Sequence, residues 1–133
     1  MPSERELIAH RSVIELHQWI EAVFTGRDGS PSMLEKLLSS FSASFSMVTI
    51  NGQLIGLSEV EALFRRNTAA RPGLRIDIDA CETLAVTAES VVCRYRETHY
   101  HQESVLARWS LAIIDIDNGQ PAWRYLHETA IAP

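Results

Sequence analysis

A chain of 133 residues with a formal net charge of −5 reads as one domain spanning residues 1–133, long enough to bury roughly two thirds of its unfolded surface. The acidic balance excludes broad phosphate-backbone binding, so no nucleic-acid partner is expected; Arg65, Arg66, Arg71 and Arg75 cluster, but as a solvated helix end favoured by the helix dipole. An apolar fraction of 46% without a run that approaches a membrane span, and an N-terminus MPSERELIAH without a signal-peptide core, predict a cytoplasmic protein with no membrane partner.

The chain opens on Ser3-Glu4-Arg5-Glu6, a capping box that starts a helix. Val13, Leu16, His17, Ile20, Val23 and Phe24 then recur at helical spacing, and Gly26 stops the helix by taking the left-handed conformation cheaply. His17 lies inside this stripe. It reads as a core histidine with a satisfied ring nitrogen, with a place in a ligand pocket as the alternative. Residues 27–30 form a polar turn, and Pro31 suits the first position of a second helix carrying Leu34, Leu37, Leu38 and Phe41.

A strand over residues 43–50 follows, closed by Asn51-Gly52, with a short return over 53–55 that Gly56 breaks. Ser58-Glu59-Val60-Glu61 is a second capping box; Val60, Leu63 and Phe64 supply the buried face of a third helix, which Pro72-Gly73 ends. From Leu74 the period becomes two: Leu74, Ile76, Ile78 and Ala80 alternate with Arg75, Asp77, Asp79 and Cys81. Asp77 and Asp79 lie opposite the core and read as solvated. Cys81 and Cys93 are the only cysteines and read as reduced core thiols. No C-x-x-C or nucleotide-binding glycine pattern occurs, and no cofactor is expected.

Residues 91–131 carry three successive strand patterns, VVCRYRETHYH, VLARWSLAIIDID and AWRYLHETAI, broken at Gln102-Glu103 and Asn118-Gly119. Asn-Gly is a strong hairpin signal because both turn positions need positive φ. Helices mostly first and an antiparallel meander last make this an α+β chain, with helices covering one face of a curved sheet.

Two-residue turns fix the expected registers. The first places Tyr95 opposite Ser110, Glu97 opposite Arg108 and His99 opposite Leu106; the opposite-charge pair supports it. The second places Ser110 opposite His127, Ala112 opposite Tyr125 and Arg108 opposite Thr129. One face then collects Tyr95, Glu97, His99, Arg108, Ser110, Trp123, Tyr125, His127 and Thr129, and is assigned to the helix-covered cleft. The other exposes an apolar patch of Trp109, Leu111, Ile113 and Leu126, which predicts a homodimer through the outer sheet face.

Each polar group has a bland alternative. Glu97 and Arg108 form an ion pair that is either structural or part of the cleft. His99 and His101 have H-x-H spacing, but they sit beside a turn and no third ligand is evident, so no metal is expected. His127 is the most plausible acid–base group, with Glu97 or Ser110 to orient it. The expected ligand site is Tyr95, Glu97, Arg108, Ser110, Tyr125 and His127, with His17 from the first helix. Because Glu97 can neutralise Arg108, it suits a small neutral or weakly acidic organic ligand better than a phosphate.

The stretches W-I-E-A-V-F-T-G, F-S-M-V-T-I-N-G-Q, R-P-G-L-R-I-D-I and W-R-Y-L-H-E-T together resemble the nuclear transport factor two-like superfamily, in its SnoaL-like, small bacterial branch. The resemblance covers nearly the whole chain and concerns architecture. It implies a cone: a curved mixed sheet wrapped around a long N-terminal helix, with two further short helices, a pocket at the open end and frequent homodimers. That superfamily includes ketosteroid isomerase, scytalone dehydratase, polyketide cyclases and limonene-epoxide hydrolase beside non-catalytic binding and assembly domains, so fold does not decide chemistry. Isomerase-like members use an Asp base with Tyr and protonated Asp as oxyanion donors. Tyr95 or Tyr125 matches a donor here, but no Asp matches the base, and Glu97 would have to replace it. The leading expectation is a small-molecule-binding domain. An isomerase, dehydratase or cyclase using His127, Glu97 and Tyr95 comes second, and a dimerisation module third.

Overall fold

In the computed structural model, which describes residues 2–27 and 29–132, Ser3 opens helix α1 (Glu4–Thr25) through the expected capping box. Its Oγ accepts the Glu6 N–H at 3.2 Å, and Glu6 Oε1 accepts the Ser3 N–H at 3.3 Å. The stripe of Ala9, Val13, Leu16, Ile20 and Val23 is buried against the sheet. Gly26 ends the helix at φ 71°, and a Cβ there would stand 2.6 Å from the Ala69 Cβ. Glycine is thus needed twice over, for the left-handed turn and for the close approach. That approach matters because Ala69 and Arg71 donate their N–H groups to Val23 and Phe24 carbonyls at 2.9 Å each. The 67–73 loop is thereby pinned to the end of α1.

Helix α2 (Ser30–Ser39) has Pro31 in its first turn; the turn expected at 27–30 includes residue 28, which lies outside the described residues. Strands β1 (Phe41–Val48) and β2 (Leu54–Gly56) lead into α3 (Leu57–Arg66). This helix starts one residue before Ser58, since Glu59, not Glu61, reaches back to accept the Gly56 N–H at 3.0 Å. It also ends well before Pro72-Gly73, where Asn67 Nδ2 donates to the Leu63 carbonyl at 2.8 Å.

The remaining strands are β3 (Arg75–Val86), β4 (Ser90–His101), β5 (Ser104–Asp117) and β6 (Gln120–Ala130). They complete a six-stranded sheet of order β2-β1-β6-β5-β4-β3, antiparallel except where β1 meets β6. The α+β class and the mixed sheet around a long first helix are as expected. Val91, Cys93, Tyr95, Ala112, Ile114, Trp123 and Leu126 form the sheet side of the core. Trp123 donates its indole N–H to Ser12 Oγ of α1 at 2.9 Å, so the deepest aromatic ring is also satisfied.

Between β4 and β5 the pairs are Tyr95 with Ser110, Glu97 with Arg108 and His99 with Leu106, as the turn predicts. Between β5 and β6 the expected register holds only next to the turn, from Asp117 with Gln120 to Ile114 with Trp123. The next pair is Ile113 with Tyr125, leaving Arg124 as the extra residue of a bulge. Past it, Ser110 faces Glu128, Ala112 faces Leu126 and Arg108 faces Ala130, which corrects the expected partners His127, Tyr125 and Thr129. One extra residue turns every later side chain to the opposite face. The cause is legible in the packing: Trp123 and Leu126, three apart, are both buried, which a regular strand of period two does not allow. Arg124 is held outside by Asp115 Oδ1 at 3.0 Å and Ser90 Oγ at 2.9 Å.

Candidate functional site

The inner face of β4, β5 and β6, together with α1, α3 and the β1–β2 hairpin, lines a cavity of about 300 Å3. Its walls are apolar, with Phe24, Phe41, Phe64, Leu63, Met47 and Ile55 among them, and Thr49, Asn51 and Gln53 come from the hairpin. Its floor is ionic, made by His17, Arg71, Glu97, His99, Arg108 and Glu128.

Glu97 is the centre of that floor. Alternation along β4 turns Tyr95, Glu97 and His99 inward, and Glu97 is only 3% exposed. Its Oε1 lies 3.0 Å from His17 Nε2, and its Oε2 lies 2.5 Å from His99 Nε2. His17 Nδ1 sits 2.7 Å from the Val13 carbonyl. A carbonyl and a carboxylate both accept, so both ring nitrogens of His17 donate and the ring is an imidazolium. Burial pulls its pKa down, but the charge and hydrogen bond of Glu97 outweigh that and raise it. Burial likewise pushes Glu97 up, and the charge and hydrogen bonds of His17, with His99, more than reverse it, holding the carboxyl well below its usual range.

His99 completes the chain outward. Its Nδ1 lies 3.4 Å from Arg71 Nη1; since a guanidinium only donates, Nδ1 accepts and the Nε2–H faces Glu97. Glu97 thus has both oxygens hydrogen-bonded and is held in its ionised form. Arg108, its cross-strand neighbour, does not pair with it. Arg108 Nη1 instead donates to Glu128 Oε2 at 3.3 Å, and its buried Nε has no partner among the described residues. Burial and the charge of Glu97 push the Glu128 carboxyl up, against the pull of Arg108. Two carboxyls in one cavity are therefore driven in opposite directions.

Tyr95 and Ser110 are buried opposite each other beneath this floor. Tyr95 Oη lies 3.5 Å from His17 Nε2, and burial with the charges of Glu97 and Glu128 pushes the phenol well above its ordinary value. Ser110 Oγ has no hydrogen-bond partner within 3.5 Å among the described residues. Tyr125 and His127 are elsewhere, which corrects the expected cleft. The bulge turns both outward, Tyr125 Oη standing 2.8 Å from His127 Nδ1, and Thr129 is exposed with them. Their inward neighbours Leu126 and Glu128 occupy the places that sequence reasoning gave to them.

His99, on the face assigned to the cleft, lines the cavity, and so does Arg71, read as helix-end surface, whereas His101 bonds the Pro72 carbonyl at 3.2 Å. Glu128 was missed because a regular strand puts it outside. The apolar pair Trp123 and Leu126 at odd spacing was the available signal. Among the described residues no group of three His, Cys, Asp or Glu side chains is placed to hold a metal ion.

A wider hollow of about 590 Å3 runs beside β3, but its two carboxylates are already paired, Asp79 with Arg96 and Asp77 with Arg75. The outer sheet face carries Trp109, Leu111, Ile113, Tyr125, His127 and Thr129. Trp109 is 37% exposed, with Arg94 and Arg96 at 5.6 and 5.7 Å from its ring centre. Leu126, expected on this patch, is 7% exposed and belongs to the core. No described helix is long and apolar enough to cross a membrane.

No family model matches the sequence, and neither does any curated protein. Among solved structures, the chain is 30% identical to an NTF-2-like protein of unknown function from Pseudomonas aeruginosa, with a TM-score of 0.88 over 94% of this chain and 99% of that one. It is similar in fold, at 12% identity and a TM-score of 0.74, to a putative aromatic ring hydroxylase from Novosphingobium aromaticivorans, over 100% of this chain and 93% of the other. The association domain of CaMKII from C. elegans aligns at 10% identity and a TM-score of 0.69, over 96% and 99% of the two chains.

Proposed function

We propose a function for this chain from the premise that it belongs to the nuclear transport factor two-like superfamily: it binds a compact organic molecule in the inner cavity. One observation carries the reading, a cavity of about 300 Å3 whose apolar walls end on an ionic floor. That volume is at the lower end for small-molecule sites, which combine apolar lining with a few convergent polar groups. Two carboxylates on the floor disfavour a phosphate and leave a neutral or weakly acidic polar end as the better match. The test is a small-ligand panel read by thermal shift on wild type and on Leu63→Trp, which fills the cavity. Hits should shift the wild type alone; equal shifts in both proteins would move the site elsewhere.

A catalytic use of the same cavity is favoured by Glu128. Its carboxyl is pushed towards neutrality and has only one partner, whereas Glu97 serves as the anchor for His17 and His99. In an acid–base reaction Glu128 is the group suited to move a proton, whereas His127 lines the outer face of the sheet and not the cavity. The outer sheet face suits self-association, and the fold it shares with association domains supports this.

A further inference from the structure

Taking the inner cavity as a small-molecule site, we propose that its floor is a carboxylate subsite, in which Arg71 and Arg108 receive the anionic group of a compact aromatic or alicyclic acid. The charges carry this. His17, Arg71 and Arg108 bring positive charge, Glu97 and Glu128 are the carboxyls that line the cavity among the described residues, and His99 stands between Arg71 and Glu97. Three cations against two carboxylates leave one positive charge over, beside apolar walls where unbalanced charge is costly. An anionic ligand group supplies what is missing.

Both guanidiniums line this cavity. Each guanidinium has five N–H donors in a planar fork that matches a carboxylate. Arg71 commits one nitrogen to His99 and Arg108 one to Glu128; the remaining guanidinium nitrogens have no side-chain partner among the described residues. The rest of the cavity fits a ring. Phe64 stands 5.8 Å from Phe24 and 6.2 Å from Phe41 between ring centres, an aromatic wall of the cavity. A phosphate dianion is a poorer occupant because its second charge meets Glu97 and Glu128.

Binding is coupled to a proton. Glu128 faces Arg108 from β5, Glu97 and His99 from β4, His17 from α1 and Arg71 from the 67–73 loop. A ligand carboxylate shares Arg108 with Glu128 and adds negative charge beside it, so Glu128 takes up a proton as the ligand enters. This is an uptake, and affinity for the acid falls as pH rises.

The experiment is calorimetry with benzoate, phenylacetate and cyclohexanecarboxylate, each against its primary amide, on wild type, Arg71→Gln, Glu128→Gln and Leu63→Trp. Arg71 is half-buried on a loop, so its variant keeps the core intact. At least one acid should bind about tenfold or more tighter than its amide, as a charge-assisted fork does. Arg71→Gln should bring the two close together, and Glu128→Gln should tighten the acid. Heats in buffers of different ionisation enthalpy should report proton uptake in wild type and none in Glu128→Gln. If acid and amide bind alike and Leu63→Trp abolishes both, the cavity reading stands and the carboxylate subsite is overturned. If no probe binds at millimolar concentration, both are overturned.

Discussion

His17 Nε2 meets Glu97 Oε1 at 3.0 Å with both side chains almost wholly buried, tying the middle of α1 to the middle of β4. A buried ion pair is weak evidence of net stability, but removing one partner strands the other charge and costs about 3–5 kcal/mol. His17→Gln should therefore destabilise the fold by that amount near pH 6. The pH dependence has a definite sign. Glu97 is lowered from 4.5 on folding, so its contribution is present above that value and lost as pH falls through its folded pKa. His17 is raised from 6.5, so its contribution is complete below 6.5 and lost as pH rises through its folded pKa. The gap in Tm between wild type and His17→Gln should be widest between those two values and narrow as pH rises above 6.5 through the folded pKa of His17. A gap of constant size would mean that His17 is not an imidazolium in the fold.

The bulge at Arg124 makes a side-by-side test of neighbouring residues possible. Leu126 packs in the core while His127 is exposed. Leu126→Ala should cost about 2–4 kcal/mol, and His127→Ala should stay within about 0.5 kcal/mol. Urea unfolding of the two variants decides between the registers, because a regular β6 would reverse the order.

Much of this was legible in the chain. Period-two alternation gave the strands, the Ser3 and Gly26 signals gave the bounds of α1, and the Gln102-Glu103 turn fixed which residues of β4 and β5 face each other. The site was legible in part: Glu97, Arg108 and His17 line the cavity, but their partners were misread. A register counted from Asn118-Gly119 assumes a regular strand, and the bulge is required by the burial of Trp123 with Leu126, a tertiary demand. The same is true of Arg71, which reaches the cavity only because the 67–73 loop hydrogen-bonds to the end of α1.

That loop supplies another prediction. Gly26→Ala should lose about 1–2 kcal/mol through its positive φ, and more through contact with Ala69. Ala69 itself has φ 60°, so Ala69→Gly relieves strain at its own position and removes the Cβ that Gly26→Ala would strike. The double variant should recover part of the loss in thermal unfolding. Simple additivity of the two effects would show that the contact is not what makes Gly26 necessary.

The outer sheet face carries the last prediction, that the protein is a homodimer through Trp109, Leu111 and Ile113. The arginines flanking Trp109 are already paired, Arg94 with Glu82 at 3.4 Å and Arg96 with Asp79. The face therefore offers an apolar centre inside a charge-balanced rim. Burying such a centre contributes about 25 cal/mol per Å2, more than exposed rim pairs usually add. In a two-fold dimer the same patch meets itself, so a charge introduced at its centre is placed close to its own copy. Trp109→Glu should give monomers in sedimentation at concentrations where the wild type is a dimer, with little loss of Tm for the monomer because Trp109 is partly exposed. Glu82→Ala, at the rim, should leave the dimer intact. A wild type that sediments as a monomer at high micromolar concentration would remove the outer face as a self-association surface.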